Sequence, residues 1–307
     1  MARPLRIGFK ASPTRVTWDQ VRSVWQRAGE LGVFESAWLF DHFYPVDGDG
    51  SCFEGMTALA ALAPLVPGHQ VGHLVLANPY RHPTLVTKSA VTIDHISGGN
   101  FVLGLGAGWH VPETTAYGMD LDPIGQRLRD LRASILVIRE LLKPEAARWP
   151  SDGSDSSTTG GVSIDAPPYR LTHARNDPPP MHGDRMPIWL GVQGERVGLR
   201  MVAELADGWN YNGIYVGDEF QHKLDVLKRH ADDIGRDMAE IEISAQIRVD
   251  RDDLPHARRA AAALAAAGVQ HVILYLDGRQ GPDAVDLAAS EVVAPLRDAF
   301  GGRATGA

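Results

Sequence analysis

The chain has 307 residues, 44% of them hydrophobic, a formal net charge of −8 and a single cysteine, Cys52. That hydrophobic share supplies a sizeable core and excludes wholesale disorder, while the acidic balance without a basic cluster argues against nucleic acid and an anionic membrane surface. One cysteine excludes an intrachain disulfide and every cysteine-rich zinc or iron–sulfur site, which leaves Cys52 as a free loop thiol.

Met1 to Ile7 shows no apolar leader, and the longest apolar runs fall short of a membrane span, so a cytoplasmic protein is expected. Ile7-Gly8-Phe9 opens the first predicted strand. Val21, Val24, Trp25, Ala28 and Leu31 then recur at three- and four-residue steps, an amphipathic helix that Gly32 stops. Ser36 to Phe40 is the second strand and Val71 to Ala77 the third. His82-Pro83-Thr84 puts proline into the first turn of the next helix, which Gly98-Gly99 closes. Phe101 to Leu105 is almost wholly apolar, as a strand buried on both faces should be. Asp122-Pro123 starts a helix striped by Leu128, Leu131, Ile135, Ile138 and Leu142, and Pro144 ends it.

Four more strands follow, at Pro187–Val192, Gly208–Tyr211, Ile241–Val249 and His271–Leu276, each ahead of a helical stretch; the alanine-rich Arg258–Ala267 is the plainest. Eight strands alternating with helices, with few hairpin signals, predict an α/β fold. Its parallel sheet is expected to close into a (β/α)8 TIM barrel rather than stay open and doubly wound, as one domain over residues 1–307. Glu145 to Met186 breaks the rhythm and is expected to be an irregular insertion after the fourth βα unit. Ser151–Gly161 reads as polar linker, Asn176–Pro180 is proline-rich, and the part with Tyr169 and Arg170 is the candidate for covering a site.

In such a barrel the chemistry gathers where strands run into the following loops. Strand two delivers Asp41-His42-Phe43, and strand three Asn78-Pro79-Tyr80-Arg81. Strand four ends in Gly106-Ala107-Gly108-Trp109-His110, and strand five in Gly191-Val192-Gln193-Gly194. Glycine-rich ends bring amide N–H groups close to a ligand, although tight packing explains such turns equally well. Gly194 is read as opening a helix with Val197, Met201 and Leu205, whose amides and dipole suit a phosphate. Gly104-x-Gly106-x-Gly108 lacks the Rossmann context. His42 is either an acid–base group or a satisfied loop histidine; Asp41 is either a partner for a ring N–H or a loop cap.

No metal site is expected. Strand one offers Phe9, Lys10 and Ser12 instead of a histidine pair, and His69, His73 and His82 are not at ligand spacing. Neither a Gly-x-Ser-x-Gly elbow nor a glycosidase pair from Glu113 and Asp120 is supported. Trp25, Trp38 and Trp189 read as packing residues, whereas Trp109 fits packing or a ligand equally. Arg81 and Arg196 fit solvated surface arginines better than phosphate ligands.

Four blocks together resemble the luciferase-like monooxygenase family, in its branch that uses the deazaflavin coenzyme F420. They are Trp38–Phe43, Asn78–Pro83, Ile96–Trp109 continuing to Tyr117-Gly118, and Pro187–Gly191 through Ala206–Asn210, and the match runs over roughly residues 5 to 300. The resemblance implies a hydride transfer between F420 and a small organic substrate. The alternatives are an FMN-dependent monooxygenase using reduced flavin and oxygen, and a non-catalytic flavin-binding barrel. It further implies that His42 is the catalytic residue and that Asp41 and Asn78 border the ring, Asn78 from a strand that often holds a non-proline cis peptide. By the same resemblance Gly106, Ala107 and Gly108 line the ribityl chain, and Gly191, Val192, Gln193 and Gly194 hold the phosphate. A homodimer and a flavin or F420 reductase as partner are implied as well. Two departures weaken a sugar-phosphate dehydrogenase reading. Val46 stands where such enzymes have tryptophan, and Ala107-Gly108-Trp109 where they have glutamate, Glu113 being nearby in another register.

Overall fold

Alternation along the first strand sets the plan of the molecule. In β1 (Arg6–Ala11) Phe9 faces outward, its ring edge-on to Trp25 of α1 (Trp18–Leu31) with centroids 5.5 Å apart. A side chain grafted onto Gly8 would instead meet Ser36, Trp38 and His271, which belong to other strands of the inner wall. The computed structural model describes residues 4–148, 160–212 and 217–301. Helix α1 starts in a capping box, Thr17 accepting from the Gln20 amide and Gln20 from the Thr17 amide, and ends at Gly32 with φ of 60°.

Along the chain follow β2 (Ser36–Leu39), α2 (Gly55–Leu62), β3 (Gln70–His73), β4 (Leu76–Ala77) and α3 (Pro83–Ile96). After them come β5 (Phe101–Gly106), the short α4 (Val111–Ala116) and α5 (Ile124–Leu142). A hairpin of β6 (Val162–Ala166) and β7 (Tyr169–Ala174) precedes β8 (Ile188–Leu190), α6 (Gly198–Leu205), β9 (Gly208–Tyr211) and α7 (Asp218–Asp233). The last elements are β10 (Glu242–Arg248), α8 (Leu254–Ala266), β11 (His271–Leu276), α9 (Pro282–Ala288) and α10 (Ala294–Phe300).

The large sheet runs β3-β2-β1-β11-β10-β9-β8-β5-β4, and β5 also pairs with β3, so the sheet closes on itself. Every ladder within it is parallel. With β3 and β4 as two pieces of one staple, this is the expected eight-stranded barrel. β1 and β8 face each other across it. The predicted third strand Val71–Ala77 is interrupted: it pairs with β5 at Val71 and Gly72 and again at Leu76 and Ala77, and the Leu74–Val75 peptide between is cis. The barrel is filled by a stacked pair, Trp38 and Trp189, with centroids 4.9 Å apart, joined by Leu74, Val102 and Ile273. Gly72 and Gly208 leave room for these rings, since an added Cβ would fall 2.7 Å from Trp38 Cζ3 or 2.4 Å from Trp189 Nε1.

The predicted irregular insertion is partly regular. Val162, Ile164 and Ala166 alternate with polar residues, as do Tyr169, Leu171 and His173-Ala174, and their apolar side seals a small second core on Ala133, Val137 and Leu141 of α5. The hairpin therefore lies along α5. Tyr169 meets His82 edge-on at the start of α3, and Arg170 is exposed and paired with Asp165. The Ser151–Gly161 linker lies outside the described residues except at Gly160 and Gly161. Among the described residues, no helix is long and apolar enough to cross a membrane.

Candidate functional site

The loop leaving β2 carries Asp41 and His42, and the two side chains serve different partners, as adjacent residues on extended backbone do. Asp41 is buried: Oδ2 accepts from Arg81 Nη1 at 2.7 Å and from the Ala77 amide at 3.1 Å, and Oδ1 from Arg81 Nη2 at 2.8 Å. Arg81 also pairs with Glu54, which caps α2 through the Met56 and Thr57 amides. Burial works against the Arg81 charge, but Asp41 and Glu54 outweigh it and hold the guanidinium above its ordinary pKa. Arg81 is thus no solvated surface arginine, a correction to the sequence reading, and both Asp41 oxygens already have protein partners.

His42 donates from Nδ1 to Glu113 Oε2 at 2.7 Å. Glu113 is fully buried at the third position of α4 and also accepts from the Tyr80 hydroxyl, the Phe43 amide and the Tyr44 amide. Burial would raise this carboxyl, yet the hydrogen bonds from His42, Tyr80 and Phe43 outweigh it and hold it below the usual carboxylate range. An ionised Glu113 fixes the proton on Nδ1 of a neutral His42, so Nε2 is the nitrogen left for a ligand. Burial, then Glu113, pushes the Tyr80 phenol well above its ordinary value, so it stays a donor. Cys52 is a free thiol, raised to about 12 by burial and then by Glu113 and Asp41, and its Sγ–H donates to the His42 carbonyl.

Sequence reasoning missed Glu113, which it placed in another register. The available signal was Val111-Pro112-Glu113 directly after a strand: proline in a first helical turn with glutamate beside it, a short helix folding back over the strand end. Around this pair lies an aromatic rim. Phe43 packs on Tyr80 and on Tyr117 at 4.4 Å each, and Trp109, 63% exposed, stands edge-on to His42 at 5.9 Å. His110 Nδ1 lies 3.4 Å from Glu113 Oε2 without hydrogen-bonding geometry. The donor atoms of His42, His110 and Glu113 lie within 4.8 Å of one another, a grouping that spacing alone had not suggested. With four hydrogen bonds already on Glu113, the cluster is built first to hold a proton.

The other expected residues ring the same mouth. Asn78 is buried in a 3-10 turn after β4. Gly106 and Gly191 both lie against Val75, where an added Cβ would come 2.6 Å and 2.8 Å from its methyls, and Gly108, at φ of 74°, lies against Pro79. Ala107 and Val192 are buried in the main core. Gln193 lends its carbonyl to Lys223 of α7, while Gly194 is exposed with open space where a Cβ would be. Gly194 does not itself open the helix: α6 begins at Gly198, with no side chain capping its first amides. Arg196 is exposed and lines an outer cleft with Arg229 and His230. Trp25, Trp38 and Trp189 are core residues, as expected.

A closed parallel barrel that gathers a carboxylate-held histidine at the C-terminal ends of its strands is a (β/α)8-barrel enzyme with its chemistry at that mouth. The chain belongs to the luciferase-like monooxygenase family, which it matches over residues 5–297. It is 31% identical over 150 residues to an F420-dependent glucose-6-phosphate dehydrogenase of Amycolatopsis mediterranei (strain U-32), covering 48% of this chain and 43% of the relative. It is 27% identical over 270 residues to a 5,10-methylenetetrahydromethanopterin reductase of Methanopyrus kandleri, covering 82% of this chain and 69% of the relative. The chain spans about half the length of the first curated relatives it matches. In fold it is similar to an F420-dependent secondary alcohol dehydrogenase solved with an F420–acetone adduct, with a TM-score of 0.78 at 16% identity over 97% of this chain and 100% of that one.

Proposed function

We propose that the chain transfers a hydride between coenzyme F420 and a small organic substrate, with His42 as its catalytic residue. The observation that carries this reading is the His42–Glu113 hydrogen bond, which leaves Nε2 as the free ring nitrogen at the C-terminal mouth of the barrel.

The residues present fit such a cofactor. Asn78, in the turn after β4, would suit the polar edge of the ring, and the segment Gly106, Ala107 and Gly108 would border the ribityl chain. Gly191, Val192, Gln193 and Gly194 lead to the start of α6, which no side chain caps and whose helix dipole would suit a phosphate. Asp41 acts at one remove: held by Arg81 and the Ala77 amide, it ties the loop before His42 to the chain just before Asn78. Bound there, F420 supplies a ring carbon that gives or accepts the hydride. His42 Nε2 holds or delivers the proton that accompanies it at the substrate oxygen, and Glu113 fixes the orientation of the imidazole. Trp109 and the Phe43–Tyr80–Tyr117 cluster limit water at the rim.

FMN with oxygen is the second reading. It uses the same pocket, because both cofactors share a tricyclic ring, a ribityl chain and a phosphate, whereas Val46 and Ala107-Gly108-Trp109 weaken only a sugar-phosphate dehydrogenase reading. Titrating the purified protein with F420 and with FMN, followed by tryptophan fluorescence, separates the two. Tight F420 binding with weak FMN binding is the expected result. The reverse replaces it with the oxygen-using reading and a reductase partner, and binding of neither sinks both.

A further inference from the structure

Lys10 lies at the inner, C-terminal end of β1, in register with Tyr275 of β11. It is 6% exposed, with its ammonium 4.4 Å from the Tyr275 ring centroid and 5.6 Å from that of Phe40. A directed chain of amides holds it. Lys10 donates to Gln246 Oε1, Gln246 Nε2 to Asn210 Oδ1 at 2.9 Å, Asn210 Nδ2 to Ser244 Oγ at 3.0 Å, and Ser244 Oγ to the Trp209 carbonyl at 3.1 Å. Each acceptor oxygen is turned towards the lysine side, so the relay is built around a positive charge and anchored in the backbone.

No carboxylate answers that charge among the described residues; the ion pairs of the mouth use Arg81 and His42 instead. A buried ammonium without an anion is costly, and burial pushes Lys10 down to about 7. An ammonium has three donors, and Gln246 takes one of them. Phe40 and Tyr275 are both partly exposed, so the cation lies just under the floor of the mouth. His42 packs against the same Phe40 ring, with centroids 5.6 Å apart.

We propose that Lys10 anchors the substrate by a carboxylate, so that the substrate is a small organic acid laid across Phe40 with its reacting carbon at His42. This rests on the hydride-transfer reading above and narrows it to a substrate class. The cofactor is the other source of an oxyanion, but its phosphate is assigned to the loop after β8, on the wall opposite β1.

The test titrates the full chain by calorimetry with 2-oxo acids from pyruvate to phenylpyruvate, each against its neutral amide, with and without F420. Wild type should bind at least one acid about tenfold more tightly than its amide, the size expected of one charge-assisted hydrogen bond. Lys10→Met should erase that preference and Lys10→Arg keep part of it, with F420 affinity unchanged in both. If wild type prefers no acid over its amide, the proposal is overturned without recourse to any variant. It is overturned equally if Lys10→Met keeps the preference, or if that variant loses F420 affinity instead, since the cation would then serve the cofactor. Failure of F420 to bind wild type counts against the hydride-transfer reading alone, because the acid preference is also measured without it.

Discussion

Glu113 Oε2 lies 2.7 Å from His42 Nδ1, although 71 residues of sequence separate them. The short α4 brings them together by folding back from the end of β5 over the loop after β2. The same carboxylate takes the Phe43 and Tyr44 amides, so it also fixes the backbone that presents His42. One buried group therefore sets the tautomer, the orientation and the loop position of His42.

Replacing Glu113 by glutamine should break all three. The amide turns a donor towards one of the groups that now donates to it, and it no longer fixes a single tautomer of the imidazole. Wild type should show a single Nδ1–H tautomer of His42 in long-range 15N–1H spectra, and Glu113→Gln a mixture. Turnover should fall on the order of 10²-fold with cofactor affinity little changed. Acid should act on wild type in the same direction. The Glu113 pKa is held below its ordinary 4.5, so its stabilisation is full above that value and is lost as pH falls through the folded one. A single His42 tautomer surviving in Glu113→Gln would contradict the assignment.

Arg81→Met should unfold the protein more readily than most surface changes. It strips the bidentate partner from the buried Asp41 and one partner from Glu54, and breaking one side of a buried ion pair costs about 3–5 kcal/mol. Arg81→Lys should recover only part, since an ammonium cannot make the two parallel bonds. Adding Asp41→Asn to Arg81→Met should regain stability, because no uncompensated carboxylate then remains at that position. Urea denaturation of these four proteins and of the Asp41→Asn single variant measures this; strictly additive losses would rule it out.

How far the sequence carries depends on the range of the interaction. The apolar run of β5 and the stripe of α1 were legible because burial on a strand or helix is written at local periods. The hairpin Val162–Ala174 was equally written, in its alternation either side of Pro167-Pro168, but it lay beside a polar tract that drew the whole segment into one irregular reading. Asp41 and Arg81 are 40 residues apart and Glu113 is 71 from His42, so no local pattern links them. Lys10 was visible at the end of strand one, but only the closed barrel shows that Gln246 and Tyr275, and no carboxylate among the described residues, stand opposite it.

The glycines at the mouth make a separate, packing prediction. Gly106 and Gly191 flank Val75, whose β-branched side chain has little rotamer freedom to retreat. Gly191→Ala should therefore destabilise by about 1–3 kcal/mol through overpacking. Val75→Ala in the same chain removes the two methyls in the way, so the double variant should be more stable than the sum of the single losses. Equal sums in denaturant titrations would mean that Val75 is not what keeps position 191 free of a side chain.

Lys10 links its environment to pH. Burial lowers its pKa from 10.5 to about 7, so between those values the unfolded chain binds a proton that the folded chain does not, and stability rises with pH. Below about 7 both states carry the charge and the folded one bears its full desolvation. Lys10→Met keeps the aliphatic stem against Phe40 and Tyr275 but removes the ammonium, so it should be more stable than wild type by about 1–4 kcal/mol near pH 6. That advantage should shrink steadily towards about pH 10, as wild type sheds the proton and its penalty together. A difference between the two proteins that stayed flat with pH would show that Lys10 does not titrate in this window. A bound carboxylate should flatten the wild-type rise by keeping the ammonium charged, which ties the stability measurement to the substrate proposed for the site.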